Sequence, residues 1–285
     1  MKIFATRLLM ICAWSLLTTP TIATDGVISL KNGLSLTNSN LNDLDDRKPY
    51  SFGGDARFSH YISPKFSLQA DLRGQGAHGY DYAEENGWTE TLVGFHATYR
   101  NNVCGCQSRS FGGFGAKSLN YSSDEGDELF RYNMIGAETL FTKNNRLFHL
   151  QGGFLSQDKP ADEDGNFEEG GFVRGVENFY FNPNTRLQAE VTYLHGSDDR
   201  QEFTSTGWAA ELAHKIGCGP FTGFIAYNGH YVTADNGRDS FSNHEILLGF
   251  RVFFGTASIR ENEMRGAGLT LPDFSTPIGI GSELD

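Results

Sequence analysis

The chain has 285 residues and a formal net charge of −12, a balance that argues against nucleic acid and other polyanions as partners. No apolar run approaches the length of a membrane-spanning helix, so no transmembrane helix is expected. Glycine is frequent at 34 residues, aromatics make up 13% and proline is scarce at 8.

The first residues carry Lys2 and Arg7, then the apolar run "LLMICAWSLL", then small residues around Thr21 and Ala23. This is the pattern of a secretory signal peptide over 1–23. From there, apolar and polar residues alternate with a period of two, the signature of strands. Twelve segments are predicted: 26–37, 50–62, 66–77, 88–100, 107–120, 128–141, 146–156, 169–181, 186–196, 206–216, 221–232 and 243–254. The connections alternate in length. "SPK", "NNVCGC", "TKNN", "NPNT" and "GCGP" are short, whereas 38–49, 78–87, 121–127, 157–168, 197–205 and 233–242 are long.

The hairpin "DARFSHYISPKFSLQADLR" (55–73) shows the logic of the faces. A register that sets Ile62 against Phe66 puts Asp55 opposite Arg73 and Arg57 opposite Asp71 on one face, and leaves the other apolar apart from His60. Opposite charges across a strand pair help pairing by about 0.2–1 kcal/mol. The same alternation gives outward sets such as Val93/Phe95/Ala97/Tyr99, Leu187/Ala189/Val191/Tyr193 and Ile246/Leu248/Phe250/Val252/Phe254. Inward sets include Ser29/Lys31, Glu90/His96, Gln188/Glu190/Thr192, Glu211/Lys215 and Glu245/Arg251. Tyr99, Phe141, Phe181, Phe221 and Phe254 all fall beside short turns, where an aromatic girdle belongs. Segments 107–120 and 169–181 are blurred by glycines and by Glu177.

The acidity is concentrated. The six long loops together carry more negative charge than the net −12 of the whole chain, so the loop face should attract cations. Substrate selection and divalent bridging to anionic lipopolysaccharide are both open readings of that charge. After signal cleavage Cys104, Cys106 and Cys218 remain, an odd number that cannot form a closed disulfide framework. "HGSDD" (195–199) holds the residue types of a hydrolase, but in one polar loop without a separate orienting group. No phosphate loop or zinc spacing is present, and neither a cofactor nor a metal is expected.

These features together resemble the bacterial outer-membrane β-barrel (porin-like) superfamily over 24–255. The last segment, "ILLGFRVFF", is similar to the superfamily's assembly signal in Gly249, Val252 and Phe254, but departs from it at Leu247, where a polar residue is usual. The resemblance implies an all-β, antiparallel transmembrane barrel of about 12 strands with short periplasmic turns and long acidic outer loops. It implies insertion through the barrel-assembly machinery and contact with outer-membrane lipid and lipopolysaccharide. Residues 256–285 extend past the usual end and are expected to form a periplasmic tail. The expected lumen is lined by Lys31, Asp55, Arg57, Asp71, Arg73, Glu90, Glu190, Glu211, Lys215 and Arg251. A narrow channel for small polar solutes is the leading functional expectation. A closed structural or binding barrel and a lipid-modifying enzyme are the alternatives.

Overall fold

A computed structural model describes residues 24–39, 50–78, 88–103, 107–122, 128–157, 167–198, 202–234, 240–265 and 267–274. The expected signal peptide, Cys104, Cys106, most of the acidic loops and 275–285 lie outside the described residues. Twelve strands form: β1 (Thr24–Ser39), β2 (Tyr50–Ser63), β3 (Phe66–His78), β4 (Trp88–Val103), β5 (Gln107–Ser122), β6 (Glu128–Lys143), β7 (Arg146–Gln157), β8 (Phe167–Asn182), β9 (Thr185–Asp198), β10 (Glu202–Lys215), β11 (Phe221–Ala234) and β12 (Ser240–Phe254). A single short helix, α1 (Ile259–Arg265), follows among the described residues.

Each strand pairs antiparallel with its sequence neighbour, and β1 pairs with β12, so the sheet closes into a barrel without an edge. Closure satisfies every strand's backbone groups inside the wall, which the interior of a bilayer demands. Period-two alternation then sorts the side chains. Leu34, Val93, Phe95, Ile135, Phe154, Leu248 and Phe250 are exposed on the outside, the surface that hydrocarbon would cover. Their neighbours in sequence, such as Ser35, Leu92, His96, Leu155 and Leu247, are buried inside. The aromatics at the short turns, Tyr99, Phe141, Phe181, Phe221 and Phe254, all face outward.

Two-residue turns join β2 to β3, β6 to β7 and β8 to β9. In the second of these Asn144 takes a left-handed backbone (φ 55), a conformation that asparagine tolerates in tight turns. The β2–β3 hairpin has a register shift between Tyr61 and Ser63 at its turn. It nevertheless sets Asp55 against Arg73 and Arg57 against Asp71, as the alternation implies.

The chain after β12 departs from expectation. A periplasmic tail was expected over 256–285, but its described part turns back into the barrel. Gly255, with φ 80, makes that turn in a conformation that would strain a side-chain-bearing residue. Ser258 then caps α1: its Oγ accepts from the Glu261 amide at 3.1 Å, and the Glu261 carboxylate accepts from the Ala257 amide at 2.9 Å. The backbone of Arg260 donates to the Pro183 carbonyl at 3.1 Å, which fixes α1 at the short-turn end. From there 267–274 run extended up the lumen. Apolar side chains draw the segment in. Ile259 and Ala267 join Val27, Leu147, Phe224 and Leu247 in one buried cluster. Leu271 and Phe274 join Phe114, Phe172, Leu194 and Phe241 in another. Leu247, the residue out of pattern in the assembly signal, therefore packs inside the barrel under the inserted chain.

Candidate functional site: a lumen occupied by the C-terminal segment

The inward residues form three levels, each meeting a different part of the inserted segment. At the short-turn level, Arg186 of β9 contacts both Glu211 of β10 and Glu263 of α1. Tyr180 donates to Glu263 at 2.5 Å. Arg251 of β12 lies bidentate on Glu211 with both N–O distances at 2.5 Å, and its guanidinium covers the Phe224 ring at 4.3 Å. Lys215 donates to the Ala257 carbonyl and Arg100 to that of Met264 at 3.0 Å.

The middle level grips the backbone of the segment. Arg57 and Gln69 donate to the Leu269 carbonyl at 3.2 and 2.9 Å, and the Leu269 amide returns a bond to the Gln69 carbonyl oxygen at 3.3 Å. On the opposite wall Gln151 and Arg174 donate to the Thr270 carbonyl at 3.1 and 2.8 Å. Each of these donors is held from behind by an acid. Asp55 takes Arg57 at 3.0 Å, Asp71 takes Gln69 at 2.8 Å, Glu138 takes Gln151 at 3.0 Å and Glu190 takes Arg174 through two bonds of 2.7 Å. Glu138 also meets His96 at 2.9 Å and His149 at 3.0 Å, while His96 faces Asp71 at 3.2 Å. The result is a buried belt of alternating charge around the axis.

The outer level is mixed. Arg73 donates to the Leu271 carbonyl at 2.9 Å and pairs with Asp273 at 3.3 Å. Gln75 donates to Asp273 at 2.8 Å and to Glu90 at 2.7 Å, and it accepts from Lys31 at 3.0 Å. Glu90 is also held by Ser118 at 2.7 Å and Tyr132 at 3.0 Å. Beyond this the wall carries an apolar cluster that includes Leu194, Phe203 and Phe241, and Phe274 packs on Phe172 with ring centroids 4.9 Å apart.

All ten residues assigned to the lumen from sequence thus point inward. Two contacts expected between them do not form. Arg57 turns along its own strand to Asp55, and Arg73 leaves Asp55 for Asp273, because the inserted chain supplies a carboxylate and carbonyls nearer the axis. Sequence reasoning missed Arg174, Arg186, Glu138 and Glu263. The first lies in the segment blurred by glycines, and Glu263 lies in the supposed tail. It also missed the apolar outer wall, where inward residues such as Phe172 and Phe203 sit between outward ones and erase the alternation. His195, singled out in "HGSDD", is exposed on the barrel exterior 3.7 Å from Glu202. Cys218 is exposed and unbonded in a short turn.

Among solved structures, the chain is similar to an outer-membrane channel from Pseudomonas putida F1, with TM-score 0.58 at 14% identity over 83% of this chain and 97% of that one. The two share the fold of a closed antiparallel β-barrel. Other matches are OprD from Pseudomonas aeruginosa, with TM-score 0.42 at 9% identity over 84% of this chain and 96% of that one, and the KdgM porin, with 0.44 at 12% over 79% and 99%. No family model and no curated protein matches the chain. The wall of this barrel follows the expected plan, and the inserted segment between Ile259 and Phe274 occupies its lumen.

Proposed function

We propose that the protein is a porin-like channel of the bacterial outer membrane for small solutes, held nearly shut by its own C-terminal segment. The observation that carries this reading is the middle belt. Arg57, Gln69, Gln151 and Arg174 project from opposite walls onto a chain that belongs to neither wall. Small barrels fill their lumen with wall side chains, whereas here a terminal segment is the obstruction. Fixed charges lining a narrow path set its local field and selectivity. The acidic outer loops fit divalent bridging to lipopolysaccharide, and the last strand fits recognition by the barrel-assembly machinery. The reading is tested by reconstituting the full chain in planar bilayers. We expect a low basal conductance with infrequent openings that becomes several-fold larger when the segment is unseated. A folded barrel that is silent with the segment seated and unseated would overturn it.

A further inference from the structure

The segment in the lumen is a ligand whose contacts specify a chemical class. Gln69 pairs with both the carbonyl and the amide of Leu269, at 2.9 and 3.3 Å. That two-way bond is what a neighbouring strand offers, and its chemical complement is a peptide group. The carbonyls of three successive residues, Leu269, Thr270 and Leu271, each find a donor, supplied in turn by Arg57 and Gln69, by Gln151 and Arg174, and by Arg73. The spacing of these donors therefore follows an extended chain at about 3.3–3.6 Å per residue. A carboxylate is seated between Arg73 and Gln75, and an aromatic ring rests on Phe172. The acids that orient these donors, Asp55, Asp71, Glu138 and Glu190, are turned to the wall and bond the donors rather than the segment. What reaches the axis is a ladder of donors, suited to carbonyls and carboxylates and poorly suited to cations.

Room for the segment to move exists at the short-turn end. A cavity of about 1180 Å³ opens beside α1, bordered by Tyr61, Arg100, Ser110, Thr142 and Arg260. Gly268 is the weak point of the seated form. A Cβ there would lie 2.3 Å from the Glu263 Cα and 2.7 Å from its carbonyl oxygen, so the chain can bend back from α1 into the lumen only with glycine at this position.

We propose that the seat occupied by 267–274 is the solute site of the channel, and that its solutes are short, extended peptides carrying apolar side chains and a carboxylate. The C-terminal segment is their resident competitor. The inference rests on the channel reading above. The probe is a synthetic octapeptide of sequence AGLTLPDF, matching residues 267–274, added to single channels of the full chain, with the reversed sequence FDPLTLGA as control. Gly268→Val and, independently, Leu271→Asp are designed to unseat the segment while every wall residue is kept, and the wild-type chain is measured in parallel. Heat-modifiable gel mobility reports barrel assembly. We expect the octapeptide to block the unseated channels about tenfold more tightly than its reverse, and Gln69→Leu in the Gly268→Val chain to weaken the block by about tenfold, the value of one lost two-way amide contact. Wild type should need more peptide for the same block, because its own segment competes. Equal potency of the two sequences on every conducting chain would overturn the peptide site and leave the channel reading standing. Absence of current from assembled wild-type and variant barrels would instead overturn the channel reading on which the site depends.

Discussion

Arg73 stands opposite Asp55 across the β2–β3 hairpin, yet its guanidinium closes on Asp273 of the inserted segment at 3.3 Å and on the Leu271 carbonyl at 2.9 Å. A residue placed by strand pairing thus serves the contents of the barrel rather than its wall. Arg73→Gln should therefore raise the open probability of the channel while the thermal unfolding of the barrel stays nearly unchanged. Asp273→Asn should do the same to a smaller extent, since Arg73 keeps the Leu271 carbonyl, and the double variant should add little to Arg73→Gln. Single-channel recording of the three variants with thermal scans alongside checks this.

Arg186 is buried between Glu211 and Glu263. Truncating one side of a buried pair strands the other charge, which costs about 3–5 kcal/mol. Among the described residues Arg186→Ala leaves Glu263 with Tyr180 as its one close donor, whereas Glu211 keeps Arg251. Arg186→Ala should lower the unfolding temperature markedly. Arg186→Ala combined with Glu263→Ala should recover part of that loss, as the stranded carboxylate is gone.

The facing of the wall is tested at β9. Val191 is exposed on the outside, and Thr192 beside it points inward near Glu190, 3.4 Å from its carboxylate. Arginine at a mid-bilayer outward site costs about 2–4 kcal/mol. Val191→Arg should lose that amount in a refolding assay in lipid, and Thr192→Arg should lose clearly less. Equal losses would contradict the assignment of faces.

The cap of α1 gives a local test. Ser258→Ala removes the hydroxyl that accepts from the Glu261 amide, a change worth about 0.5–2 kcal/mol at a helix start. The barrel should unfold as before, while α1 frays. Cleavage by trypsin at Arg260 or Arg265 should become faster, read as loss of the C-terminal fragment by mass spectrometry.

The wall of this protein is legible in its sequence because a strand with lipid on one face must alternate. Twelve segments, the alternation of short and long connections and the register that sets Asp55 against Arg73 follow from that rule and from the position of the turns. The partners of the inward charges do not follow from it. Alternation says that Arg57 and Arg73 point inward, but their contacts depend on what fills the lumen, and a segment gripped mostly through backbone carbonyls leaves little trace in its side chains. Two local signals were nevertheless present. Ser258-x-x-Glu261 is the spacing of a helix cap, which marks the tail as structured. The inward phenylalanines Phe114, Phe172, Phe203 and Phe241, buried where a water-filled lumen would be polar, mark an interior that packs against something apolar.

The central claim is that 259–274 is seated in a conducting lumen and closes it. Single-channel conductance of wild type against Gly268→Val, at equal amounts of assembled barrel, tests this most directly. A Cβ at Gly268 would first meet the backbone of Glu263 within the inserted segment, and the substitution leaves every wall residue in place. The account predicts small, infrequent openings for wild type and a steady conductance several-fold larger for the variant. Indistinguishable conductance from the two chains would contradict it.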